Sequence, residues 1–222
     1  MIIHVKEFGK IESADINMSK LAIFVGDNNS GKTYLMQLIY GLLLFFLSNN
    51  LNQDLLQFNG LQMDDHSGTI EKGNKTFVKT LEKCVNDCIE KNKDTIIKNT
   101  FHTDDLSIGK LSIEFGTLQK SYSFVKDDLI LSDEDSKYIR YYFKQNKKSI
   151  WGIRFKQVSN EKFIRQELKL GLLYLALSEL VGIPFSRWSK VDAQNSMLYL
   201  PASRSAHWCL TLLNFYKRII ST

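Results

Sequence analysis

Gly26-Asp27-Asn28-Asn29-Ser30-Gly31-Lys32-Thr33 decides how the rest of this 222-residue chain is read. The stretch fits G-x-x-x-x-G-K-[ST], the spacing of a phosphate-binding P-loop. Ahead of it, Leu21-Ala22-Ile23-Phe24-Val25 has the apolar run of a buried strand, and an apolar segment of helical length starts at Tyr34. Strand, loop and helix in that order are what such a loop needs. Gly26 is expected to let the chain turn sharply, and Gly31 to let backbone approach a phosphate. The N–H groups of the loop, Asn28, Asn29 and Ser30 included, would face the anion, with the helix N-terminus adding partial positive charge. Lys32 would reach the β- and γ-phosphates, and the Thr33 hydroxyl would ligate Mg²⁺. A nucleoside triphosphate with Mg²⁺ is therefore the expected ligand.

Composition narrows the setting. Hydrophobic residues at 44% and charged residues at 24% describe a globular chain long enough for one or two domains. A net charge of +5 permits an anionic partner without requiring one. Cys84, Cys88 and Cys209 do not form a secreted disulfide framework, and the N-terminus lacks a signal-peptide pattern, so the expected compartment is the cytoplasm. Residues 35–47 are uncharged but shorter than the roughly 20 residues that cross a bilayer. They begin at a loop that must stay in water, so a core helix is expected and no membrane partner.

Residues 2–5 and 11–18 read as two strands, with Phe8-Gly9-Lys10 as the bend between them. Taken with 25–33, this start resembles the N-terminus of ABC-type ATPases related to SMC, RecF and OLD proteins. Their pattern is strand, a bend containing Phe, second strand, apolar residues and G-x-N-x-S-G-K-[ST]. The Asn28-Asn29-Ser30 form is most similar to OLD and related AAA-type ATPases of bacterial defence systems. Gly9 and Asp27 depart from the pattern, where Lys or Arg and Pro are frequent. The resemblance implies an α/β fold: a P-loop NTPase core of ABC-ATPase type with an antiparallel β subdomain and helical additions. It implies one ATP-binding domain over 1–222, divided into 1–48, 49–158 and 159–222, with the C-terminal catalytic half absent. It also implies ATP as the nucleotide, a homodimer or hetero-complex that sandwiches it, and a nuclease or other effector as partner, often on DNA.

The rest of the chain offers few candidates for the catalytic parts that such an ATPase needs. Residues 49–73 are polar and read as a loop with a short helix; Asp64, Asp65 and His66 are adjacent and rarely converge on one metal. Residues 76–98 have the apolar spacing of a helix, with Cys84 and Cys88 on its stripe and Glu82 on its polar face. Residues 106–131 alternate and read as an antiparallel meander. Leu129-Ile130-Leu131-Ser132-Asp133-Glu134 imitates a Walker B strand, which would make Glu134 the group that activates water, but Ser132 breaks the apolar run. Ala176-Leu177-Ser178-Glu179-Leu180 lacks the glycines of an ABC signature.

Residues 137–148 interleave base and ring, and two readings stay open: a nucleic-acid surface or an amphipathic helix with solvated lysines. Residues 150–158 read as a strand and 161–181 as a helix stopped by Gly182 and Pro184. Near the end, Met197-Leu198-Tyr199-Leu200 reads as a strand running into Pro201-Ala202-Ser203-Arg204-Ser205 and a last helix. Arg204 then meets nucleotide phosphate or a partner subunit, or is a surface residue beside a Ser203 or Ser205 cap. The expected function is an ATP-binding ATPase module that hydrolyses little by itself. A non-hydrolytic nucleotide-binding regulator and a P-loop small-molecule kinase are the alternatives.

Overall fold

In chain order the elements are β1 (Ile2–Phe8), β2 (Ile11–Asn17), α1 (Lys32–Leu47), α2 (Asn52–Gln57), β3 (Ser67–Ile70), α3 (Lys75–Phe101), β4 (Ile108–Glu114), β5 (Tyr122–Lys126), β6 (Leu131–Asp133), β7 (Ser136–Gln145), β8 (Lys148–Lys156) and α4 (Glu161–Val181). The computed structural model describes residues 1–18, 25, 27, 30–47, 51–64, 66–127, 131–133, 136–156 and 160–182, with backbone alone for 47, 131–133, 136–137 and 156. The expected strand, turn and helix over 197–220 lie outside the described residues.

The first sheet has the order β2-β1-β4, antiparallel throughout. Its register aligns apolar residues: Ile3, Val5 and Phe8 of β1 stand opposite Ile113, Leu111 and Ile108 of β4. All six are buried. The pairing corrects the expected meander over 106–131. Alternation shows that β4 has one buried face, but not which strand it joins. Here β4 joins the N-terminal hairpin, while β5 belongs to the second sheet.

The outer edge of β4 is closed by α3. Asn86 donates to the Ile113 carbonyl at 2.9 Å and accepts from the Ile113 amide at 2.8 Å. Glu82 accepts from the Phe115 amide at 2.7 Å. An open strand edge invites unwanted pairing, and polar side chains from a covering helix satisfy it. Glu82 is thus a docking residue rather than part of a solvated face.

The second sheet runs β3-β5-β7-β6, with β8 on the other side of β7. It overturns the helix reading of residues 137–148. β7 and β8 form a hairpin turning through Asn146 and Lys147, both at positive φ (47° and 69°). Two positive-φ residues give the turn whose twist matches paired strands. Lys at the second place, instead of Gly, hides that turn in the sequence. The sheet buries Tyr122, Phe124, Tyr141, Phe143 and Phe155 on one face, and α4 lies over β3 and β5. Gly68 lets β3 fit there, since a Cβ would sit 2.6 Å from Phe124 Cε1.

α2 ties the layers together. Lys91 of α3 pairs with Asp54 at 2.8 Å, Lys169 of α4 donates to the Leu56 carbonyl at 2.6 Å, and the Tyr174 hydroxyl donates to Asn52 at 2.6 Å. Asn74 and Asn160 cap the starts of α3 and α4, and Gly182 in the left-handed region ends α4. No helix among the described residues is long and apolar enough to cross a membrane.

Candidate nucleotide site

The loop enters α1 at Gly31 and Lys32. Gly31 has φ +85, and its carbonyl accepts the first helical hydrogen bond from the Leu35 amide at 3.0 Å. A Cβ at Gly31 would lie 3.0 Å from Ile11 Cγ1. Both the conformation and the floor supplied by β2 therefore require glycine. The amides of the first turn of α1 lack acceptors within the helix, and that turn has no acidic residue. Lys32 Nζ donates to the Asp27 carbonyl and, at 3.0 Å, to Ser30 Oγ, which holds the ammonium over the loop. Ser30 and Thr33 are exposed.

The helix start is fixed from below by aromatic rings. Phe8, at the end of β1, is 1% exposed. Its ring lies 6.4 Å from Tyr34 and 5.6 Å from Phe101, and Tyr34 stacks on Phe101 at 5.6 Å with 12° between planes. Tyr34 directly follows Thr33, so the cluster anchors the P-loop helix to the first sheet and to the end of α3. Phe8 falls in the bend that the sequence marks, but nothing in the sequence marks Tyr34 and Phe101 as its partners.

These residues fit a polyphosphate. The described donors are a lysine ammonium, a hydroxyl-bearing turn and a helix N-terminus, and the backbone is free of side-chain bulk at Gly31. Mg²⁺ keeps waters and phosphate oxygens as most of its ligands, so the single hydroxyl of Thr33 suits it.

The family model of the AAA ATPase domain matches residues 1–176, most of the chain. The chain belongs to the AAA ATPase domain family. No curated protein and no solved structure matches it. The matched span of this AAA ATPase domain takes in the loop, both sheets and most of α4. Membership makes the chain an ATP-binding ATPase module of a P-loop fold, in a family that uses ATP and Mg²⁺.

Several expected site residues, Gly26, Asn28, Asn29, Glu134 and Arg204, lie outside the described residues. Val25, expected to end a buried strand, is in no strand and is 88% exposed. Among the described residues every strand pairing is antiparallel and none reaches it. A single exposed apolar residue is ordinary at a protein surface.

Other candidates are occupied in packing. β6, which includes Asp133, pairs antiparallel with β7 in the second sheet, not beside the sheet that floors the loop. Ser178 bonds back to the Tyr174 carbonyl at 2.8 Å, and Glu179 accepts from the Tyr122 hydroxyl at 2.8 Å and from the Gln119 amide. Burial and then that Glu179 contact push the Tyr122 phenol well up. Asp64 accepts from the amides of His66 and Ser67, which holds its carboxyl below the ordinary range and uses it as a turn. Burial, with the neighbouring Asp54 carboxylate, pushes the Cys88 thiol up to about 12, and burial raises Cys84 as well. Among the described residues, no group of three His, Cys, Asp or Glu could hold a metal.

Proposed function

We propose that Gly26 to Thr33 bind Mg-ATP and that the chain works as the nucleotide-holding module of a larger ATPase assembly. The observation that carries this reading is the loop-to-helix junction: Gly31 at φ +85 against Ile11, followed by Lys32 held at the helix N-terminus. Lys32 would neutralise the β- and γ-phosphates, the first-turn amides would orient them, and Thr33 would hold the metal. Mg²⁺, when bound, offsets phosphate charge and fixes the phosphate geometry. Arg204 is a further candidate for phosphate or for a facing subunit.

Transfer to water also requires a positioned water and a second metal-holding group. Glu134 is the one internal candidate for positioning the water. We assign the role instead to a second chain, or a further segment, that closes over the loop. The domain reading remains one ATP-binding unit over 1–222, acting in the cytoplasm. The resemblance to OLD-like proteins supports a place in a bacterial defence complex whose effector, such as a nuclease, is controlled by nucleotide state.

Steady-state phosphate release tests the division of labour. The expected result is ATP binding with turnover far below ~1 per second, and no trace of turnover in Lys32→Ala. Turnover near that rate that vanishes in Glu134→Gln would show that the chain carries its own catalytic carboxylate and overturn the assembly reading.

A further inference from the structure

The β7–β8 hairpin, residues 136–156, contains seven of the 29 Lys and Arg residues and none of the 24 Asp and Glu. That local excess exceeds the +5 of the whole chain. Alternation sorts the hairpin into two faces. Tyr141, Phe143 and Phe155 point into the core, and Tyr138, Arg140, Tyr142 and Lys144 line the opposite face of β7.

On that outer face Arg140 stands directly opposite Arg154 of β8. Like charges in directly opposed positions destabilise a sheet unless something between them neutralises the pair. Among the described residues no carboxylate pairs with Arg140, Arg154, Lys144, Lys147 or Lys148.

Rings accompany the charges. The Arg140 guanidinium lies 5.7 Å from the centre of the Tyr142 ring and donates to its hydroxyl at 2.7 Å. The Tyr142 ring also covers Gly152, where a Cβ would come within 3.3 Å of it. Gly152 thus leaves the ring room to lie across the neighbouring strand. A sheet face with spaced cations and a ring held beside an arginine matches the two needs of an unpaired strand: phosphates to neutralise and bases to stack. A duplex hides its bases in the stack and has no use for Tyr142, and an acidic peptide would need the cations alone.

We infer that the outer face of the second sheet, centred on Arg140, Tyr142, Lys144 and Arg154, binds single-stranded nucleic acid. The inference is independent of the nucleotide reading, because none of these residues belongs to the phosphate loop.

Fluorescence anisotropy of the full chain tests it with three probes: a labelled 20-mer of single-stranded DNA, the matching duplex, and poly-glutamate of similar charge. The single strand should bind most tightly. Its affinity should fall about 50-fold between 50 and 200 mM salt if roughly four phosphates are contacted. Tyr142→Ala should weaken binding about tenfold with the salt dependence kept. The double variant Arg140→Glu/Arg154→Glu should abolish it, and Lys148→Glu at the exposed hairpin end should weaken it severalfold. Circular dichroism checks the fold of each variant, and Lys148→Glu keeps the test decisive if the double variant unfolds. No binding of the single strand at 50 mM salt, or binding unchanged in Lys148→Glu and Tyr142→Ala, would overturn the inference. So would equal affinity for the duplex or for poly-glutamate.

Discussion

Phe8 is the residue through which the phosphate loop is tied to the first sheet. Its buried ring touches Tyr34, which follows Thr33, and Phe101, which ends α3. Removing it leaves a cavity under the helix start as well as losing apolar burial. Phe8→Ala is expected to cost about 3–5 kcal/mol, measured by urea unfolding, and to weaken Mg-ATP binding in the fraction that stays folded. Unchanged stability would show that the cluster does not anchor the loop. The thiols offer a second check at this scale. Cys88 is buried with its pKa pushed up to about 12, so almost no thiolate exists at neutral pH. Alkylation at pH 8 followed by peptide mass spectrometry should leave Cys88 unmodified until denaturant is added; rapid labelling in the native state would contradict its placement.

At the scale of elements, α1 meets α3 at Gly41, where a Cβ would lie 1.9 Å from Thr100 Oγ1. Gly41→Ala is expected to destabilise by about 1–3 kcal/mol through overpacking, and adding Thr100→Ala should recover part of that loss in a double-mutant cycle. Strict additivity of the two changes would contradict the contact. This glycine was not legible as a contact in the sequence, because its neighbour lies 59 residues away. The long amphipathic segments were legible: α4 spans the residues that its period, with Gly182 as stop, marks out. The strand pair 2–5 and 11–18 was legible from the Phe8-Gly9-Lys10 bend between two short stretches that carry apolar residues. The partner of β4, the four-residue strand β3 and the β7–β8 hairpin were not, since alternation gives a face but no neighbour and Lys147 conceals the turn. Of the candidate site, the motif placed Gly31, Lys32 and Thr33, while the ring cluster and the Ile11 floor arise only when distant segments meet.

For the whole molecule, α2 joins the two layers, and its Asp54–Lys91 pair makes that join sensitive to acid. Burial works to raise the Asp54 carboxyl, but hydrogen bonds from Lys91 and Cys88, together with the Lys91 charge, outweigh it and hold the pKa below the ordinary value. A carboxyl depressed in the folded state stabilises above its unfolded value of about 4 and loses that contribution as pH falls through the folded value. Asp54→Asn should therefore reduce stability at pH 7 by no more than about 1 kcal/mol. The gap from wild type should close below about pH 4 in urea titrations; a gap independent of pH would mean that the pair does not hold the layers.

Mg-ATP binding at the loop is the central claim, and isothermal calorimetry of the wild type beside Lys32→Ala tests it most directly. The wild type should take up one Mg-ATP per chain with a measurable heat, and Lys32→Ala, folded by circular dichroism, should show none. Equal affinity in the two proteins would contradict the assignment of Gly26 to Thr33 as the phosphate cradle.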